Sequence, residues 1–127
     1  MASYRTPHSR VKGLGSAQSG TEHFWAQRVT ALANLVLLVF LIYSVIRLAG
    51  EPLDVVRAYF ASPIVAILGC LFAVSSAYHM RLGMQVIIED YIHQESSKLI
   101  LLILNTFFAV VVALTSVIAI IKLSLGA

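Results

Sequence analysis

Polar and apolar positions fall along this chain in long blocks. Three stretches hold no formal charge: 29–46 between Arg28 and Arg47, 58–80 between Arg57 and Arg81, and 99–121 between Lys98 and Lys122. A helix needs about 18–20 predominantly apolar residues to cross roughly 30 Å of hydrocarbon, so each block is of membrane-spanning length. The pattern predicts an all-α integral membrane protein with spans at about 26–48, 60–88 and 98–122. A polar N-terminal arm, 1–22, precedes a single membrane domain, 23–127, and Thr21 is a plausible N-cap for the first helix. Gly50-Glu51-Pro52 is a stop, 53–60 reads as a short interfacial turn of helix, and Ser62-Pro63 opens the second span. Gln94–Lys98 forms the second joint.

Composition supports lipid as the solvent. The chain has 127 residues, 59% apolar and 12% charged, where soluble domains carry about 25% charged residues. Three spans with short joints leave no room for a soluble domain, and a net charge of +3 does not suggest nucleic acid. Arg5, Arg10, Lys12 and Arg28 cluster before the first span, with no acid until Glu22. The positive-inside rule then puts the N-terminus in the cytoplasm or the mitochondrial matrix, and three crossings put the C-terminus opposite. The first 20 residues resemble a transit peptide in having arginine and serine without acid, but lack the apolar core of a secretory signal; they read as a retained segment. Tyr4, Trp25 and Tyr59 read as members of the interfacial aromatic belt. The single cysteine, Cys70, lies within a span, permits no internal disulfide and reads as a small apolar side chain.

The second span carries the candidate chemistry. Ionisable groups at membrane depth are costly and by default mark function. His79 follows the uncharged stretch 58–78 and so belongs well inside the bilayer. Gly83 lies one helical turn on, about 40° around the helix, and Asp90 about 20° away and roughly 16 Å along it. A glycine beside a histidine clears one face, so that a flat macrocycle can approach while the imidazole offers an axial nitrogen to iron. The plainer reading is that His79 hydrogen-bonds a neighbouring helix. Ser75 and Ser76, one turn before it, are candidates to hydrogen-bond and orient its ring. No second intramembrane histidine exists, since His8, His23 and His93 sit in or beside polar segments, so a bis-histidine site would need a ligand from another chain. Ala66, Gly69, Ala73 and Ala77 make a small-residue stripe on the opposite side, suited to helix packing. At the end of the span, Tyr91 can donate a hydrogen bond to a quinone carbonyl and Asp90 can orient it or relay protons; the plainer reading is an interfacial tyrosine beside a solvated acid. Arg81 either snorkels to the interface or pairs with an anion such as a haem propionate.

Two segments, Ser19-Gly20-Thr21-Glu22-His23-Phe24-Trp25-Ala26-Gln27-Arg28-Val29-Thr30-Ala31 and His79-Met80-Arg81-Leu82-Gly83-Met84-Gln85-Val86-Ile87-Ile88-Glu89-Asp90-Tyr91, resemble the hydrophobic membrane anchor subunit of succinate dehydrogenase, its alphaproteobacterial members in particular. The resemblance implies that His79 is an axial ligand to haem b, the second coming from a cytochrome b556 subunit against which the three helices pack. It implies that Tyr91 hydrogen-bonds ubiquinone beside an iron–sulfur subunit, with Asp90 as its acidic neighbour. Arg28 matches an arginine near the quinone site and the haem propionates, and His23 falls near the propionates. It further implies a place in the respiratory chain and tricarboxylic acid cycle, with a flavoprotein subunit oxidising succinate, at the inner (cytoplasmic) membrane of a bacterium or the mitochondrial inner membrane. Some members of the family lack haem or have lost a ligand.

Three functions compete on these residues. One is an electron-transfer subunit that helps hold haem b and ubiquinone; it is non-catalytic alone, since one cysteine ligates no iron–sulfur cluster. Another is a cofactor-free membrane tether, with His79 and Tyr91 as packing residues. The third is a homo-oligomeric transporter with Arg81, Glu89 and Asp90 lining a path. It is disfavoured because the other spans offer polar residues such as Asn34, Asn105, Thr106, Thr115 and Ser116, which commonly join helices.

Overall fold

A computed structural model describes residues 6–8 and 18–126, residues 18 and 19 by their backbone. Most of the 1–22 arm, Tyr4 included, lies outside the described residues. Among residues 18–126 four helices follow in order: α1 Gln18–Leu48, α2 Leu53–Phe60, α3 Pro63–Tyr91 and α4 Glu95–Leu125. Among the described residues three of them, α1, α3 and α4, are long and apolar enough to cross a membrane.

The joints follow local chemistry. Gly50 takes φ +82°, the left-handed conformation that glycine adopts without steric cost, and turns the chain after α1. Pro63 stands at the first turn of α3, where its missing N–H is no loss and its fixed φ suits the helix. The second span therefore starts at 63 rather than 60. It continues to Tyr91, where the extended Ile92 ends it. α4 starts with Glu95 in its first turn, where a carboxylate meets the positive end of the helix dipole, and ends at Gly126 with φ +74°. The second joint is thus 92–94, shorter than the expected Gln94–Lys98. α1 begins at Gln18, so Thr21 lies inside the helix and is not its cap. A cap contributes only about 1 kcal/mol, and Gln18 to Gly20 continue the helix upstream.

The central element is α3. α1 packs against one flank and α4 against another, while α1 and α4 share no comparable interface. The side chains sealed in this row are the apolar Ala77, Leu82, Ile88 and Ala109 and the polar Ser44 and Asn105. A methyl built on Gly69 would meet Ile120 Cδ1 of α4 at 3.3 Å and Phe60 Cε1 of α2 at 3.5 Å. The stripe on α3 therefore permits close helix approach, as its spacing predicts.

Polar side chains tie the row together at membrane depth. The buried Asn105 donates from Nδ2 to the Arg81 carbonyl at 2.9 Å, and Arg81 Nε donates to Thr106 Oγ1 at 3.2 Å. Between α1 and α2, Ser44 Oγ and Tyr59 Oη lie 2.8 Å apart. Tyr59 thus anchors α2 to a buried serine, a more specific role than aromatic-belt membership. Such interhelical bonds contribute about 0.6 kcal/mol each on average and up to about 1.7. Trp25 stays 60% exposed, stacked edge-on against Phe24, as an interfacial ring would be.

Little of this surface is covered by the chain itself. In the most apolar 18-residue window of α1 and of α4 only 6% is buried, and in that of α3 11%. Lipid or other helices must cover the rest, since no aqueous surface of a monomer holds so many apolar side chains.

Candidate functional site

The N-terminal half of α1 runs antiparallel to the C-terminal half of α3, and their junction gathers most of the singled-out residues. Gly20, Glu22, His23 and Ala26 line one groove with Tyr78, Arg81, Leu82, Gln85, Val86 and Glu89, about 440 Å³ in volume. A second groove, about 480 Å³, is formed by Gly20, His23, Phe24, Gln27, Arg28, Gly83 and Val86. His23 and Val86 border both, so the grooves flank one crossing of α1 over α3.

His79 is half-buried on the α1 side of α3. Its Nδ1 lies 3.0 Å from Thr30 Oγ1. Among the described residues no hydrogen bond reaches its Nε2, which is not among the sealed, unpartnered polar atoms either. One turn on, Gly83 faces the same helix: a methyl built there would stand 3.7 Å from Gln27 Nε2. Arg28 rests its guanidinium 4.9 Å above the Phe24 ring and borders the second groove. The buried atoms His23 Nε2 and Gln27 Oε1, in the same two turns of α1, have no hydrogen-bond partner. Orphaned buried polar atoms are uncommon and call for an explanation such as a missing ligand.

Arg81 stands apart from His79. Two residues separate them by roughly 200° around a helix, and Arg81 Nε engages Thr106 on α4. It borders the first groove with His23 but not the second with Arg28 and Gly83. The two serines preceding His79 do not support its ring. Ser76 Oγ donates to Asn34 Oδ1 of α1 at 3.4 Å, and Ser75 Oγ is buried without a partner. Thr30, which the spacing argument overlooks, takes that place. It sits in one of the two segments that carry the family resemblance, yet no periodicity within α1 reveals which residue of α3 it meets.

Asp90 and Tyr91 close α3, both exposed, at the same end of the row as the start of α1. Tyr91 is 75% exposed, and its hydroxyl has no partner among the described residues. With about 1.5 Å of rise per residue, it lies roughly 18 Å along the helix from His79. Gln85 Nε2 donates to Glu89 Oε1 at 2.8 Å, which occupies that carboxylate on the neighbouring turn. Among the described residues no group of three or more His, Cys, Asp or Glu is placed to hold a bare metal ion. Any iron here would have to arrive in a macrocycle that supplies its own equatorial ligands.

This donor set fits a haem. One imidazole nitrogen is engaged by protein and the other left open, a glycine clears the adjacent turn, and Arg28 and His23 stand as donors for anionic carboxylates. The Gly83 position tests the fit. Gly83→Ala is expected to keep a bound haem, since its methyl meets only an ordinary 3.7 Å contact, whereas Gly83→Leu is expected to abolish haem binding by filling the groove. Haem per complex, read from the pyridine haemochrome spectrum, decides between them.

Fold and site thus describe a small multi-pass membrane subunit with an intramembrane histidine and an open polar groove at one end. A family profile, the succinate dehydrogenase/fumarate reductase transmembrane subunit, matches residues 2–113, and the chain belongs to that family. The succinate dehydrogenase hydrophobic membrane anchor subunit of Paracoccus denitrificans is 34% identical over 124 residues, which covers 98% of this chain and 95% of that one. The protein of the same name from Rickettsia bellii is 29% identical, covering 92% and 94% of the two chains, and that from Rickettsia conorii is 32% identical, covering 87% and 88%. No solved structure matches the chain significantly.

Proposed function

We propose that this chain is the hydrophobic membrane anchor subunit of a succinate:ubiquinone oxidoreductase, and that it helps hold a haem b and the ubiquinone. The names of its relatives support the anchor role. The haem assignment rests on one observation: a half-buried intramembrane histidine whose Nδ1 is engaged by Thr30 while Nε2 is left open. In this reading His79 would hold the haem iron from this chain, and a cytochrome b subunit packed against the exposed faces of the three helices would supply a second ligand. Haem b, when bound, supplies a one-electron carrier in the apolar interior.

The residues of this chain then divide the remaining work. Gly83 keeps one face of α3 clear. Arg28 and His23 offer donors to carboxylates at the end of the row, where His23 Nε2 has no other partner among the described residues. Arg81, bound to Thr106, contributes its positive charge to the neighbouring groove. Tyr91 donates its free hydroxyl to a carbonyl of ubiquinone, and Asp90 orients the quinone site or relays a proton. Asp90 and Tyr91 sit at the end of the row that begins α1. With the N-terminus in the cytoplasm, that end faces the iron–sulfur and flavoprotein subunits, and the protein resides in the inner membrane of a bacterium.

The test is purification of the natural complex through a tag on this chain in mild detergent. The expected result is co-purification of three further subunits, succinate oxidation coupled to quinone reduction, and one b-type haem per complex. A homo-oligomer of this chain alone would contradict the assignment. An intact complex without haem would leave the anchor role and remove the cofactor from it.

A further inference from the structure

We infer that Thr30 is a positioning residue for the His79 imidazole, fixing its tautomer so that Nε2 carries the free lone pair. The inference rests on the haem reading above and adds the group that sets the ligand's protonation and orientation.

The assignment follows from where one proton goes. Thr30 Oγ1 has three polar neighbours: the Ala26 carbonyl at 2.7 Å, the Gln27 carbonyl at 3.2 Å and His79 Nδ1 at 3.0 Å. A hydroxyl has a single proton, and carbonyls only accept. The proton goes to the shortest contact, Ala26 O, the usual back-bond of a helical threonine. Oγ1 then turns its lone pairs toward His79, and the 3.0 Å contact is made by Nδ1–H donating to Oγ1. A neutral imidazole protonated on Nδ1 has its lone pair on Nε2, the nitrogen that none of the described residues engages.

The same contact holds the ring. Thr30 is pinned by its back-bond to Ala26, and its β-branched side chain is stiff about χ1, so the acceptor does not follow the imidazole if it rotates. A hydrogen bond at the far nitrogen also raises the basicity of a metal-bound imidazole, and loss of such a partner typically costs about 10–100-fold in metal affinity. A more basic ligand favours ferric over ferrous iron. Removing the Thr30 hydroxyl therefore raises the haem midpoint potential as well as weakening haem binding. Neither serine preceding His79 substitutes for it, since Ser76 is directed to Asn34 and Ser75 has no partner.

The experiment uses the purified native complex and variants of this chain, read by haem content, redox titration of the b-type signal and the low-temperature EPR of the ferric haem. Thr30→Val keeps the shape and removes the hydroxyl. It is expected to lower haem affinity at least tenfold and to raise the midpoint potential; a tenfold preference lost between ferric and ferrous haem corresponds to about 59 mV. Thr30→Ser retains the hydroxyl and is expected to stay near the native potential. Ser76→Ala removes an interhelical hydrogen bond from the same α1–α3 interface without touching His79, and is expected to leave potential and EPR unmoved. If Thr30→Val fails to assemble, Thr30→Ala gives the same readout. Thr30→Val or Thr30→Ala with native haem content, potential and EPR would overturn the inference while leaving His79 as the ligand. Equal shifts in Ser76→Ala would overturn it in favour of a packing role. A native complex with no b-type haem would overturn both this inference and the reading beneath it.

Discussion

Replacing Tyr91 by phenylalanine is expected to slow ubiquinone reduction roughly 10- to 150-fold, while electron transfer from succinate to a soluble dye stays at the native rate. Tyr91 ends α3, is 75% exposed and has a hydroxyl without a partner among the described residues. The change removes one oxygen and costs the fold next to nothing, as for other surface substitutions that break no contact. What it removes is a donor. Negative charge builds on a quinone carbonyl oxygen as electrons arrive, and a hydrogen bond to a charged group contributes about 1.5–3 kcal/mol. At about 1.36 kcal/mol per tenfold in rate, that range gives the expected loss. Dye reduction bypasses the quinone and isolates the effect. An unchanged quinone rate in Tyr91→Phe would reduce Tyr91 to an interfacial aromatic.

Replacing His79 by alanine has the larger spectroscopic consequence. In the proposed site it would supply one nitrogen to the iron, and the other described histidines stand at or beyond helix ends. His23 stands near the start of α1, His93 follows α3, and His8 lies in the arm. The structural cost is small, because the lost Thr30 contact is one interhelical hydrogen bond of about 0.6–1.7 kcal/mol and Thr30 keeps its back-bond to Ala26. The complex is therefore expected to assemble and oxidise succinate with dye, but without its native b-type haem.

Three membrane crossings were legible in the sequence because bilayer thickness sets a length that uncharged runs must meet. Pro63 and Gly50, both visible as punctuation, mark the joints. The sharing of a face by His79 and Gly83 was also legible, since helix geometry alone fixes it, and both meet α1, through Thr30 and Gln27. The identity of the His79 partner was not. A residue's own helix dictates which of its neighbours lie one turn away, but the register between α1 and α3 is set by tertiary packing. Local spacing therefore points to Ser75 and Ser76, while the fold delivers Thr30, 49 residues away in sequence. Arg81 teaches the same lesson from the other side: its charge within the span stood out, yet only the placement of α4 reveals Thr106 as its partner. Tyr59 reads as a belt residue from depth alone, and its bond to Ser44 depends on how α2 folds back.

The measurement that tests the central claim most directly is the reduced-minus-oxidised visible spectrum of the purified complex, recorded for the native protein and for His79→Ala. The account predicts a b-type haem signal in the native complex that is absent or strongly shifted in the variant, with succinate:dye activity retained in both. An unchanged haem signal in His79→Ala would contradict it, and would place the axial ligand outside this chain.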